Sequence, residues 1–314
     1  MAKLKEVCTF YSGTGFPTKY QGNDEGEYAF YKVSDIANNV QLGNTYLSVC
    51  NNYISGEIAK EIKGCILPKD TVVFAKIGEA VKLNRRAITS ADCLIDNNAM
   101  GLAPIQDKLR LDYFFYYMRN LKMEKLAEST TVPSVRKSLL EELEIKVPSL
   151  EEQKEIGEIL DKVSVVIQTR KQEIEQLDLL IKARFVEMFG DENNSLNWDM
   201  VNVEDVADVQ VGVVIKPSQY YTGKKDGIPA FRSLNIGEGF IKNMDWVYFS
   251  QEGNDKNSKS ILKENDLLIV RSGAPGTACV VTEEYAGCNA VDIIIAHPDC
   301  EKVNPYYLCT FTNM

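Results

Sequence analysis

Between Pro148 and Gly190 the apolar positions fall on a seven-residue beat. Leu160, Ile167, Ile174, Ile181 and Met188 recur at that spacing, and Ile156, Val163 and Leu177 occupy the adjoining row. Alternating steps of three and four are the seam of a coiled coil, so the pattern predicts one long helix. Arg170 and Arg184 interrupt the seam, while Ile159, Val166 and Leu180 widen the stripe beyond what a two-stranded pairing needs. Ser149 with Glu152 three residues on is a capping box, Pro148 disfavours helix before it, and Gly190 supplies the stop. Gly157 sits inside the helix at a cost of about 1 kcal/mol relative to Ala, which points to close packing or to simple tolerance. At about 1.5 Å per residue the helix is roughly 60 Å long, and it reads as a spacer rather than as a core helix of one domain. A stripe of this kind does not stay bare in water, so a second helix is expected, from the same chain or another.

The segments on either side of the helix repeat each other. Leu4-Lys5-Glu6-Val7 is echoed by Val203-Glu204-Asp205-Val206, and Gly13 by Gly212. Ala29 to Ile36 (AFYKVSDI) aligns with Pro229 to Ile236 (PAFRSLNI), setting Lys32 on Arg232 and Asp35 on Asn235. Leu67 to Gly78 aligns with Leu262 to Gly273: an acidic-flanked turn, a strand of β-branched and aliphatic residues, a cation and a glycine. Asn98-Ala99-Met100 matches Asn289-Ala290-Val291, and Leu111 to Leu121 matches Asn304 to Met314. Each copy is expected to be a small α+β domain with a β-rich body, giving a first domain over 1–148, the helix over 149–190 and a second domain over 191–314.

Composition adds bounds. The 314 residues are 45% hydrophobic and 25% charged, enough for about two domains with real cores. No run of eighteen apolar residues occurs and Met1 to Thr9 lacks an apolar export region, so a cytoplasmic protein without a membrane span is expected. Eight cysteines form no CxxC pair and His297 is the single histidine, which leaves no spacing for a zinc site and favours reduced thiols.

A net charge of −10 argues mildly against nucleic acid, yet cations gather locally: Lys82, Arg85 and Arg86; Arg136 and Lys137; Lys216, Lys224, Lys225 and Arg232. Taken singly, each cluster is explained by a solvated surface. Catalytic signals are thin. One histidine, expected at the surface of a strand end, supports no Ser/His/Asp or Cys/His set, and no phosphate-binding or dinucleotide fingerprint is present.

Ile145 to Val163 (IKVPSLEEQKEIGEILDKV), the helix end Ile181 to Gly190 (IKARFVEMFG) and the repeat opening Leu4 to Gly13 (LKEVCTFYSG) resemble the specificity subunit of type I restriction-modification systems. That resemblance covers essentially the whole chain. It implies two target recognition domains, each reading half of a split double-stranded DNA site, with paired helices that keep the half-sites apart and dock methyltransferase subunits. A motor-nuclease subunit joins for cleavage. S-adenosylmethionine, ATP and Mg are then expected on those partners, with no cofactor, metal or catalysis in this chain. Half-sites about 34 Å apart, or a multiple of that, present their grooves on one side of the duplex. The second copy stops at Met314, aligned with Leu121, so the equivalent of 122–190 is missing; this departs from the family's pattern, and a C-terminally truncated product, a fragment or a helix that pairs between two copies of the chain is expected.

Under this reading the expected base readers are Lys32, Ser34, Lys76, Arg232, Asn235 and Arg271, because Arg matches guanine and Asn matches adenine in the major groove. Arg85, Arg86, Lys216, Lys224 and Lys225 are expected on phosphates. An ion pair of Lys32 with Asp35 is the structural alternative. Ile156, Leu160, Val163, Ile167, Ile174, Leu177, Ile181 and Met188 form the expected helix interface. Competing readings are a coiled-coil adaptor whose β-rich domains bind protein, and the recognition half of a fused methyltransferase-nuclease.

Overall fold

Val72 to Ala75 are all buried, and strict alternation along the strand explains how: Val72 and Phe74 enter one hydrophobic cluster, Val73 another. The strand is thus covered on both faces and organises the first half of the protein. The computed structural model describes residues 1–128, 132–191 and 195–314. They divide into two compact units, 1–171 and 172–314.

In the first unit the strands are β1 (Ala2–Lys3), β2 (Cys8–Ser12), β3 (Tyr28–Tyr31), β4 (Tyr53–Ile54), β5 (Val72–Ala75), β6 (Ala87–Ile88), β7 (Cys93–Ile95), β8 (Ala99–Pro104) and β9 (Glu144–Ile145). An antiparallel sheet runs β2-β8-β5-β6, and a second sheet runs β4-β3-β7 with β3 and β7 parallel. Short β1 pairs with β9. Phe114 and Met118 of the helix Leu111–Asn120 pack with Val72, Phe74, Met100 and Leu102 on one face of the larger sheet. Tyr31, Ile36 and Leu47 pack with Val73 and Ala99 on the other.

The second unit holds β10 (Ala207–Val211), β11 (Ile228–Phe231), β12 (Val247–Phe249), β13 (Leu267–Val270), β14 (Ala278–Val280), β15 (Asn289–Ala290) and β16 (Ile293–Pro298). Its sheets run β10-β16-β13-β14, all antiparallel, and β12-β11-β15 with β11 and β15 parallel. For the seven strands β2 to β8 of the first unit this topology is repeated strand for strand. Even the glycines agree: a Cβ on Gly13 would lie 1.7 Å from the Asp96 carbonyl oxygen, and one on Gly212 would lie 2.4 Å from that of Ala290. Only glycine tolerates so close a backbone approach.

One stretch of the sequence alignment is corrected by register. Met100 pairs with Ser12 and Ile294 with Val211, so Ala99-Met100 corresponds to Ile293-Ile294, not to Ala290-Val291. Asn289 and Ala290 belong to the parallel strand β15, the counterpart of β7. A loop one residue shorter in the second copy hides this in a sequence comparison.

Leu150–Phe189 is one uninterrupted helix of 40 residues. Its capping box forms: the Ser149 N–H donates to Glu152 Oε2 at 2.9 Å and the Glu152 N–H to Ser149 Oγ at 3.3 Å. The Ser149 hydroxyl, donating to Glu152 Oε2 at 2.7 Å, and after it the Ser149 N–H hold the Glu152 carboxyl below the usual range. Gly190 ends the helix at φ 87°, in the left-handed region. Along the seam Ile156, Val163, Ile167, Ile174, Leu177, Ile181 and Met188 are 37–59% exposed, and Leu160 is half-buried. The stripe therefore belongs to the core of neither unit. Only Gln153, Gly157 and Phe185 along this helix are buried.

His297 departs from expectation. It lies on β16 with its side chain 24% exposed, and its Nδ1 stands 2.6 Å from Oδ1 of buried Asp266. Its other ring nitrogen faces Gln210 of the neighbouring strand at 2.6 Å, so the residue is part of the packing of the sheet rather than a surface group.

Candidate nucleic-acid interface

Both units carry a cation immediately after the central strand of the smaller sheet. In the first, the chain leaves β3 at Lys32, whose backbone N–H donates to Asp35 Oδ2 at 2.8 Å. In the second, it leaves β11 at Arg232, whose backbone N–H donates to Asn235 Oδ1 at 2.9 Å. Asp35 and Asn235 are thus equivalent holders of a turn. The alternative, an ion pair of Lys32 with Asp35, does not form through the amine; Lys32 Nζ donates to Gln21 Oε1 at 3.1 Å.

Asn235 is fully buried, and its amide nitrogen donates to the Met244 carbonyl at 2.5 Å. Fully buried with both ends of its amide held by backbone, it is out of reach of a base edge, which corrects its place among the readers. Arg86 is likewise 5% exposed, its guanidinium 5.0 Å above the Phe74 ring and bonded to the Arg85 carbonyl and Asn84 Oδ1. Burial lowers its pKa to about 10. It packs the core instead of facing a phosphate. Neither correction was legible locally, since burial is a property of the whole chain.

The remaining positions are accessible to different degrees. Ser34, Lys216, Lys224 and Lys225 are exposed, while Lys32, Lys76, Arg85 and Arg232 are half-buried. Lys216, Lys224 and Lys225 all lie on the connection from β10 to β11, while Arg232 follows the far end of β11. The Arg232 guanidinium donates to the Asp245 carbonyl. Lys76 and Arg271 end the corresponding strands β5 and β13; Arg271 is paired with Asp292 at 3.0 Å, whereas Lys76 has no ion pair among the described residues. Lys82, Arg136 and Lys137 are engaged by Glu79, Glu128 and Glu141, as the solvated-surface reading has it.

The long helix is seated by residues that its apolar pattern does not reveal. Gln153 is fully buried: its Oε1 accepts from the Arg110 N–H at 2.8 Å, and its Nε2 donates to the carbonyls of Lys108 and Pro148 at 3.0 and 2.9 Å. Tyr116 donates to Asp161 Oδ1 at 2.6 Å. Near the other end Phe185 packs on Phe189, Tyr307 and Phe311, with ring centroids 4.9, 5.6 and 6.4 Å away. The signal that could have found Gln153 was a lone amide among the charged residues of the capping turn.

Residues 1–179 match the family model described as type I restriction modification DNA specificity domain. The chain belongs to this family. Similar specificity-family proteins are the type I restriction enzyme MjaVIII specificity subunit of Methanocaldococcus jannaschii, 26% identical over 180 residues, and the MjaIX specificity subunit of the same organism, 24% identical over 266. The alignments cover 52% and 78% of this chain and 42% and 60% of those relatives. The chain therefore spans less than two thirds of the length of either. The EcoBI specificity subunit of Escherichia coli is 21% identical over 331 residues, covering 97% of this chain and 67% of that one. Among solved structures, the type I restriction-modification S subunit from M. genitalium superposes with a TM-score of 0.52 at 16% identity, over 99% of this chain and 76% of that one. A structure described as showing complex assembly and conformational transition of the type I R-M system gives 0.53 at 17%, over 99% and 79%. At such identities the likeness is one of fold: two β-rich units of one topology and a long helix.

Among the described residues of this specificity-family chain no helix is long and apolar enough to cross a membrane, and no group of three or more His, Cys, Asp or Glu is placed to hold a metal.

Proposed function

We propose that this chain is the non-catalytic DNA-recognition subunit of a type I restriction-modification complex, in which each β-rich unit reads one half of a bipartite double-stranded site. The observation that carries the reading is the same seven-strand topology built twice, with a cation at the same exit of each smaller sheet: Lys32 after β3 and Arg232 after β11. Duplicated modules with reader positions in register suit a target that is itself two separate half-sites. The helix Leu150–Phe189 then sets their spacing, and its exposed stripe accepts a partner helix or a methyltransferase subunit. Methyl transfer, ATP-driven motion and cleavage reside on partner subunits, which carry the S-adenosylmethionine, ATP and Mg.

The accessible cations Lys216, Lys224 and Lys225 hold phosphates, and Lys32 and Arg271 stand among the base readers. An overall charge of −10 is compatible with this, because backbone neutralisation depends on the local face. The test is to co-express the chain with a candidate methyltransferase subunit of the same family of systems, purify the complex and map methylated positions by sequencing. A bipartite motif whose methylation disappears when either half is scrambled is the expected result; methylation without a motif, or no complex, refutes the proposal.

A further inference from the structure

The turn that carries Lys32 opens on a polar surface pocket lined by Thr18, Gln21, Lys32, Ser34, Asn38 and Asn51. Gln21 is locked at both ends: its Nε2 donates to the Phe16 carbonyl at 3.0 Å, and its Oε1 accepts from Lys32 Nζ at 3.1 Å. One of the three amine protons is therefore spent on orientation, and two remain for a ligand. Ser34, Asn38 and Asn51 make no side-chain hydrogen bond among the described residues. The pocket is a poor one for phosphate, although the helix Val33–Gln41 begins there. Its first N–H groups are already taken, that of Val33 by Asp96 Oδ2 at 3.2 Å and that of Lys32 by Asp35, and the two carboxylates repel an anion. What fits is a neutral edge that offers acceptors to an ammonium and a donor-acceptor pair to amides. In the major groove the N7 and O6 of guanine are such acceptors, and adenine matches Asn.

We propose that this pocket is the purine-reading site of the first unit, with Lys32 donating to guanine, Gln21 as the positioning residue that aims it, and Asn38 and Asn51 contacting an adjacent adenine. The assignment rests on the DNA-recognition reading above. The matching positions of the second unit differ: Leu234 stands where Ser34 does, and the Arg232 guanidinium is docked on a backbone carbonyl instead of a glutamine. The two half-sites are therefore read by unlike chemistry.

The experiment is selection from a randomised duplex pool by the full chain with its co-purified methyltransferase, at fixed salt, for wild type, Gln21→Ala, Lys32→Gln, Asn38→Ala/Asn51→Ala and Lys224→Ala/Lys225→Ala. Wild type is expected to enrich a guanine in one half-site. Gln21→Ala lowers that enrichment about tenfold, Lys32→Gln moves the preference from guanine to adenine, and Asn38→Ala/Asn51→Ala relaxes the neighbouring adenine, all with the other half-site unchanged. Lys224→Ala/Lys225→Ala weakens binding evenly across sequences and reduces the salt slope by about 2. If the first three variants bind as strongly as wild type and select the wild-type motif, the pocket is not a reader while the recognition function stands. If wild type enriches no motif, the recognition function falls and this assignment with it.

Discussion

Gln153 shows how one buried amide can seat a 40-residue helix. Its three hydrogen bonds join the first helical turn to Lys108, Arg110 and Pro148. Replacing it with Ala leaves a part-buried N–H and two part-buried carbonyls without these partners, which costs about 1–3 kcal/mol and is read as a lower urea midpoint. A larger effect is not expected, because the Ser149–Glu152 cap stays in place. Gly157 is the second position of this kind. A Cβ there would lie 2.9 Å from Asp112 Cγ, and Asp112 is itself held by Arg110 at 2.7 Å and by the Tyr113 N–H at 2.7 Å. Gly157→Ala is therefore expected to destabilise the wild type, although alanine gains about 1 kcal/mol in an open helix. In an Asp112→Ala background the Cγ and Oδ2 contacts are gone and only the Cβ at 3.2 Å remains, so the cost of the same substitution should shrink, and a double-mutant cycle in urea reads the difference.

At the level of the element, the long helix has two kinds of apolar residue with opposite expected behaviour. Phe185 is 8% exposed within a cluster of aromatic rings. Its replacement by Ala should cost about 3 kcal/mol and expose the backbone amides of Pro305–Thr312 to faster hydrogen exchange. Ile174, Leu177 and Ile181 are 57–59% exposed. Changing all three to Lys should leave the thermal midpoint of the isolated chain within a few degrees, yet abolish co-purification with the methyltransferase subunit or with a tagged second copy. Retained assembly would show that the stripe is not the interface. Identical hydropathy thus carries different consequences, depending on what lies opposite.

Across the whole molecule the eight free cysteines sample both units. Burial pushes the thiols of Cys8, Cys93 and Cys279 up to about 12 and that of Cys288 to about 11, whereas Cys300 is exposed. Iodoacetamide at neutral pH should modify Cys300 first in the native protein and reach Cys8, Cys93 and Cys279 only on unfolding, as mass spectrometry of peptides would report. Early labelling of Cys93 or Cys279 would mean that the corresponding unit opens far more readily than its packing implies.

What the sequence determined by itself were the features that a local pattern encodes. Seven-residue spacing, a capping box and a terminal glycine specify the helix Leu150–Phe189, and the paired stretches around Lys32 and Arg232 specify one topology built twice. Strand register at Ala99 and Ile293, the burial of Asn235 and Arg86, the bonding of His297 and the close approach behind Gly157 were decided only in three dimensions. Each depends on groups distant in the chain, and an amide or a guanidinium looks the same in sequence whether it faces water or a carbonyl. The pocket around Lys32 belongs to the same class, because Gln21 from the connection before β3 meets Lys32 and Asn51 from the two ends of the connection after it, and only the folded sheet brings them to one place.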